Sequence, residues 1–218
     1  MEIKKIVRVL IPLAVHIAAQ AVTAVLFSSI PYLKARSANS VLMTTIAAIL
    51  TLPVLILLWR RDRKYRPCCP EKNPAPRSVR WWVWILIIIG GMACSGLSAV
   101  ITALGPGKFF TDEPVRRLFT ADLPLQFAGL CFLVPITEEL LFRGLTYERS
   151  REIMLQRTAV IFVSAVFALY HGNMLQMLYA FPMSIIMQEL YIHTGTLAGP
   201  VVFHISANAL SVIIEAMR

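Results

Sequence analysis

The chain has 218 residues, of which 57% are hydrophobic and 15% charged, and its formal net charge is +9. A mean hydropathy of +0.68 excludes an ordinary soluble domain, and three uncharged runs each exceed the about 20 residues that a membrane-spanning helix needs. Nucleic-acid binding is not expected, because no stacking aromatic residues are interleaved with the basic ones. The composition predicts an all-α, polytopic transmembrane bundle of about seven spans, or up to eight helices, in contact with membrane lipid.

The first three predicted spans occupy about residues 9–33, 37–59 and 81–104, and none contains Asp, Glu, Lys or Arg. Three tryptophans within residues 81–84 begin the third span, as interfacial aromatic residues do. We assign residues 1–122 to an N-terminal part that carries these three helices and a basic cytoplasmic loop at 60–80. Residues 123–218 form the second part of what we expect to be one structural domain.

The basic residues predict the orientation. Lys and Arg accumulate on the cytoplasmic side of membrane proteins, and a cytoplasmic N-terminus places fifteen of the 21 there. These fifteen are Lys4, Lys5, Arg8, Arg60, Arg61, Arg63, Lys64, Arg66, Lys72, Arg77, Arg80, Arg143, Arg149, Arg151 and Arg157. We therefore expect an integral multi-pass protein with its N-terminus in the cytoplasm, and the short loops favour a prokaryotic plasma membrane.

The second part begins with a fourth span over about 123–144, followed by a charged surface segment at 146–157. The next 35 residues, 158–192, must cross and return, which is too few for two full crossings. These two helices are therefore expected to be short, tilted or broken, with the reversal at His171–Asn173.

A turn at 193–196 then precedes the last helix, predicted over about 197–216, with Thr196 as its N-cap. The remaining polar residues of the apolar helices are expected to hydrogen-bond between helices or to lie at interfaces. They are His16, Gln20, Gln188, Glu189 and His193.

Three charges fall within six residues of the fourth span, in the sequence Glu138-Glu139-Leu-Leu-Phe-Arg143. Each charge costs roughly 2.5–3.5 kcal/mol on insertion scales, so their presence indicates a function. Glu139 and Arg143 are four residues apart, in the order that favours an ion pair on one helix face. Glu138 is rotated by about 100° from Glu139, which leaves it free for proton transfer.

Two further pairs share this four-residue spacing, Phe167 with His171 and His204 with Asn208. A single histidine in an apolar helix is more often a hydrogen-bonded core residue than a catalytic one. The combination is more informative, because carboxylates, two histidines and an asparagine recur on three predicted helices. Such groups are suited to activating a water and to stabilising an oxyanion.

The three motifs EExxxR, FxxxH and HxxxN, in this order, are similar to those of the CPBP family, the CAAX-processing and bacteriocin-processing (Abi group) intramembrane proteases. The resemblance covers about residues 123–212 and implies an intramembrane endopeptidase that acts on a peptide or protein. By this resemblance Glu138 is the general base, polarising a water together with His171. His204 and Asn208 are the oxyanion donors, and Glu139, Arg143 and Phe167 support the site.

The resemblance leaves the metal open, since the family has been described both as metalloproteases and as metal-free glutamic proteases. The sequence lacks HExxH, so we favour a glutamic-type enzyme without a cofactor. The alternative is zinc held by Glu138, His171 and His204. Two other functions are considered: a catalytically silent bacteriocin-immunity or scaffold protein, and a small proton-coupled transporter, which the lack of inverted repeats disfavours.

Overall fold

The computed structural model describes residues 2–30, 40–65, 78–104, 119 and 121–217. These residues form seven helices and, within these ranges, no strand, so the predicted all-α fold is confirmed. In chain order the helices are α1 (Glu2–Ser29), α2 (Ser40–Tyr65), α3 (Trp81–Leu104), α4 (Leu123–Ser150), α5 (Gln156–Tyr170), α6 (Met174–Thr194) and α7 (Ala198–Ala216).

Five of these helices, α1, α2, α3, α4 and α7, are long and apolar enough to cross a membrane. Helix α5 is apolar but has only 15 residues, a length of about 22 Å at 1.5 Å per residue. This is less than the roughly 30 Å of bilayer hydrocarbon, so the prediction of a short helix here is confirmed. Large apolar side chains such as Leu86, Ile89 and Leu97 on α3 are more than half exposed, as expected for side chains that face lipid.

Helix α3 packs closely on α7 because Gly91 lies at their crossing. A Cβ at Gly91 would overlap the Phe203 carbonyl oxygen and the Ser206 hydroxyl. Small residues allow such close backbone approach between membrane helices. Helix α7 also contacts α4 and α6, whereas α1 packs mainly on α2. The C-terminal helix is thus central and carries its side chains into the middle of the bundle.

Helix α4 is continuous but contains two wider π-helical stretches, Phe127–Leu133 and Leu140–Tyr147. The Val134 N–H donates to the carbonyl five residues back, at Gly129. In the second stretch the Thr146 hydroxyl likewise donates to the Leu141 carbonyl at 2.9 Å. A short α-helical segment separates the two π-helical stretches, and the adjacent glutamates Glu138 and Glu139 are its last two residues. Such π-helical turns are frequent at functional sites.

The reversal at His171–Asn173 is confirmed. Gly172 has a φ of +65°, in the left-handed region that glycine adopts without strain. The Asn173 side chain caps α6 by accepting from the Gln176 N–H at 3.0 Å.

Thr196 does not cap α7, contrary to the prediction. Helix α7 begins at Ala198 after Leu197, with no side-chain cap. The Thr196 N–H instead donates to the Thr194 hydroxyl at 3.4 Å, because Gly195, with a φ of +68°, ends α6 and folds the turn back on it.

The prediction of a charged surface segment at 146–157 is wrong in its first half. Helix α4 continues to Ser150, and residues 146–150 are buried. Burial of Arg149 is possible because its Nε donates to Asp62 on α2 at 2.7 Å, which satisfies the charge. Arg8 on α1 pairs with Asp62 at 3.4 Å and with Glu152 at 3.1 Å. Together these residues, Arg8, Asp62, Arg149 and Glu152, form a polar cluster at one end of the bundle.

Other boundaries differ by several residues. Helix α1 spans 2–29 rather than 9–33 and α2 spans 40–65 rather than 37–59, whereas α3 agrees with the prediction. Residues 66–77 of the predicted basic loop, and the ends of the first two spans within 31–39, lie outside the described residues. The division at residue 122 stays a prediction.

Candidate functional site

Glu139 and Arg143 form the predicted ion pair and are both fully buried. Arg143 Nη1 donates to Glu139 Oε1 at 3.1 Å. Arg143 Nη2 donates to the backbone carbonyl and the hydroxyl of Ser184 on α6, at 3.0 and 2.7 Å. The guanidinium therefore joins α4 to α6, and its charge is balanced by one carboxylate and two further acceptors, as a buried charge requires.

His204 on α7 lies between the two glutamates. Its Nδ1 is 2.8 Å from Glu139 Oε1, and its Nε2 is 3.8 Å from Glu138 Oε2. Since an ionised carboxylate only accepts, Nδ1 carries the proton of this hydrogen bond. Glu139 thus fixes the imidazole so that Nε2 faces Glu138, an arrangement the sequence spacing did not indicate.

His171 follows the last residue of α5, where its Nδ1 lies 2.7 Å from the Phe167 carbonyl oxygen. A carbonyl only accepts, so Nδ1 is protonated and Nε2 is the free nitrogen of the neutral ring. His171 lies within electrostatic range of Glu138 and His204.

The Phe167 ring packs among the charged residues of the site. Its centroid is 4.8 Å from that of His171 and 6.0 Å from that of His204. The Arg143 guanidinium lies 4.9 Å from the same ring, in cation–π range. Phe167 therefore packs against the buried guanidinium and meets both imidazoles edge-on.

Asn208 is held by an irregularity of α4. Its Nδ2 donates to the Leu130 carbonyl at 2.7 Å. In the π-helical register the backbone donor to that carbonyl would come from residue 135, but Pro135 has no N–H. The Val134 N–H donates instead to the Gly129 carbonyl. The proline thus leaves one carbonyl for Asn208, and the second N–H of the amide remains available.

All four predicted catalytic residues line one cavity of about 390 Å³, together with Phe167. They come from α4 (Glu138), the end of α5 (His171) and α7 (His204 and Asn208). Glu139 and Arg143 are absent from its lining and lie behind its wall. Polar side chains of α1, α2 and α3 also line it, namely Gln20, Thr44, Ser95, Ser98 and Thr102.

A family model described as Rce1-like, a type II CAAX prenyl endopeptidase, matches residues 120–210. This match agrees with the resemblance of the three motifs to the CPBP family of CAAX-type proteases. No curated protein and no solved structure matches the chain. The matched region runs from the start of α4 into α7 and contains every motif residue named above, while α1, α2 and α3 lie outside it. With its apolar helices, the chain is an integral multi-pass membrane protein.

The predicted zinc alternative can be compared with the positions of Glu138, His171 and His204. Within the described ranges, no group of three or more His, Cys, Asp or Glu side chains is placed to hold a metal ion. His204 Nε2 and Glu138 Oε2 are 3.8 Å apart, and both histidine Nδ1 atoms bond to other groups, as is also usual for metal-binding histidines. The alternative zinc set of Glu138, His171 and His204 therefore stays a prediction.

Among the polar residues outside the three motifs, some form the hydrogen bonds predicted from the sequence and others do not. His16 and Gln20 hydrogen-bond between helices as predicted, His16 to Thr51 at 3.1 Å and Gln20 to Tyr170. Gln188 is fully buried, but its side-chain amide contacts no partner among the described groups. Ser184, the second anchor of Arg143, was missed because a lone serine in an apolar helix gives no distinguishing signal.

Proposed function

We propose that the protein is an intramembrane endopeptidase that hydrolyses a peptide bond in a peptide or protein substrate, using a water activated by Glu138 and His171. The observation that carries this proposal is the convergence of Glu138, His171, His204 and Asn208 on one cavity. The match to a CAAX-type endopeptidase family over the same region supports it.

In the proposed reaction, a water between Glu138 and the free Nε2 of His171 gives a proton to the Glu138 carboxylate while its oxygen attacks the peptide carbonyl carbon. The carbonyl oxygen becomes an oxyanion. Glu138 then delivers the proton to the departing amide nitrogen as the C–N bond breaks, which restores the carboxylate. Glu139 and Arg143 take no proton and keep His204 in place.

The oxyanion is stabilised by N–H donors of α7 in this proposal. Asn208 contributes the N–H that Leu130 does not use. His204 Nε2 donates only when the ring is doubly protonated, because its other nitrogen is bonded to Glu139. Loss of one such donor typically lowers the rate about 10²–10³-fold.

Glu138→Gln tests the proposal. The amide keeps the shape of the side chain but cannot accept the proton, so we expect the loss of a factor of about 10²–10⁴ in kcat. Cleavage of prenylated and unmodified peptides is measured with purified protein in liposomes, and thermal unfolding confirms that the variant is folded. Glu189→Gln, which changes a half-exposed carboxylate on α6, is the matched control and keeps full activity.

Normal turnover by Glu138→Gln contradicts the general-base role. The same assay separates the proposal from the two alternatives. A silent immunity or scaffold protein cleaves nothing in either form, and a proton-coupled transporter moves protons without releasing peptide fragments.

We also propose that the reaction needs no metal. The lack of HExxH supports this, as does the absence, among the described residues, of a group of three or more His, Cys, Asp or Glu placed to hold a metal ion. Elemental analysis of active protein and activity after chelation test this. Activity that survives exhaustive chelation supports the proposal. Stoichiometric zinc, with activity lost on chelation and restored by zinc, contradicts it.

A further inference from the structure

Tyr170 lies in the cavity wall together with the motif residues. Tyr170 is the last residue of α5, directly before His171, and it lines the cavity with Glu138. The two lie within electrostatic range of each other. The Tyr170 ring packs edge-on against Phe142 at 5.8 Å between centroids, so the ring is fixed inside the bundle.

Helix α1 holds this tyrosine from the other side. Gln20 Nε2 donates a hydrogen bond to Tyr170 Oη. One turn earlier, the His16 ring lies 5.4 Å from the tyrosine ring, and His16 Nδ1 is 3.1 Å from the Thr51 hydroxyl. The Thr51 hydroxyl donates its proton to the Ala47 carbonyl. His16 is therefore the donor in its hydrogen bond to Thr51, which anchors it to α2.

The direction of the Gln20 hydrogen bond determines what Tyr170 can do. An amide nitrogen only donates, so the tyrosine oxygen is the acceptor and its own proton remains available to the cavity. The other donors of the site are partly engaged, since Asn208 uses one N–H on Leu130 and His204 uses Nδ1–H on Glu139. Tyr170 is thus a hydroxyl donor on the cavity wall whose orientation is fixed by another helix.

We propose that Tyr170 donates a hydrogen bond to the oxyanion of the scissile carbonyl and that Gln20 is its positioning residue. Helix α1, which lies outside the region matched to the family, thereby completes the catalytic site. This inference rests on the proposed peptidase function. It adds a donor to the transition state and changes none of the bonds made or broken.

The test compares kcat and KM for the wild type, Tyr170→Phe, Gln20→Leu and the double variant. Tyr170→Phe keeps the ring packing and removes the donor, so kcat falls about 10²-fold while KM changes little, because the bond forms mainly in the transition state. Gln20→Leu leaves the hydroxyl but releases it, and lowers kcat by a smaller factor. The double variant matches Tyr170→Phe, since both changes act through one hydroxyl.

Tyr65→Phe, at the exposed end of α2, is the control and retains wild-type kinetics. A Tyr170→Phe enzyme with kcat within twofold of the wild type, or with a loss confined to KM, overturns this inference and leaves the peptidase proposal standing. If Tyr170→Phe does not fold, an unchanged kcat in Gln20→Leu overturns it. A wild type that cleaves no peptide overturns both proposals.

Discussion

Two neighbouring glutamates have different environments because a helix turns by about 100° per residue. Glu139 is fully buried and neutralises Arg143, whereas Glu138 is 7% exposed and lies on the cavity wall. His204 connects them, with one nitrogen toward each carboxylate. The residue that serves structure therefore also orients an imidazole of the site.

Glu139→Gln tests this division at the residue scale. It leaves the Arg143 charge without its buried counter-ion, and breaking such a pair costs about 3–5 kcal/mol. We expect a clearly lower unfolding temperature and a lower yield of folded protein, measured by thermal unfolding in detergent. Glu138→Gln is the matched comparison and should unfold near the wild-type temperature. Equal stability of the two variants contradicts the assignment of Glu139 as the structural partner.

Ser184 and Gln188 lie one turn apart on α6 and are both fully buried. The Ser184 hydroxyl accepts from Arg143 at 2.7 Å, so Ser184→Ala should cost about 1.5–3 kcal/mol, the usual value for a hydrogen bond to a charged group. The Gln188 amide makes no hydrogen bond to a described group, so Gln188→Leu should not destabilise the protein. Unfolding temperatures of the two variants check this contrast, which fails if Gln188→Leu is the more damaging.

At the scale of elements, helical spacing was sufficient for contacts within one helix. It predicted the Glu139–Arg143 pair, whereas the number of residues between spans predicted the reversal at His171–Asn173. It failed where a contact joins distant helices: the burial of Arg149 depends on Asp62, 87 positions away. The π-helical stretches of α4 were not predicted either. Pro135 leaves the Leu130 carbonyl without a backbone donor, and the donor that replaces it, Asn208, is 78 positions away in the sequence.

The crossing of α3 and α7 gives a prediction with an internal control. In Gly91→Ala the new methyl group would overlap the Phe203 carbonyl oxygen and must push the helices apart. Overpacking of this kind typically costs about 1–3 kcal/mol. Gly96→Ala, in the same helix, meets nothing within 4 Å and should leave stability unchanged or slightly higher. Thermal unfolding of both variants is the measurement, and equal destabilisation would argue against close packing at Gly91.

At the scale of the whole molecule, two parts of the chain form the cavity. The region matched by the Rce1-like family model supplies the motif residues, and the helices before it supply polar wall residues such as Gln20, Thr44 and Ser95. Three apolar spans could be predicted from the sequence, but their polar inner faces could not be assigned to the site. Isolated Ser, Thr and Gln side chains have no periodic pattern that distinguishes a cavity wall from an ordinary helix contact.

The polar cluster of Arg8, Asp62, Arg149 and Glu152 places the start of α1 and the ends of α2 and α4 at one end of the bundle. The predicted orientation assigns the same three segments to the cytoplasm. An exposed residue just beyond α4 must then lie on the same side of the membrane as the 60–80 loop. Positions 155 and 70 are therefore expected to be accessible from the same side. Leu155 is 80% exposed and is suitable for labelling.

We expect the N-terminus and this end of the bundle to face the cytoplasm, because fifteen of the 21 basic residues then lie on the side that Lys and Arg favour. Single cysteines replace Pro70, Asp112 or Leu155 in a variant without the four native cysteines. A membrane-impermeant maleimide should label position 112 in intact cells, and positions 70 and 155 only after permeabilisation. Labelling of 70 and 155 but not 112 in intact cells reverses the orientation. Opposite behaviour of 70 and 155 contradicts the shared location of the ends of α2 and α4.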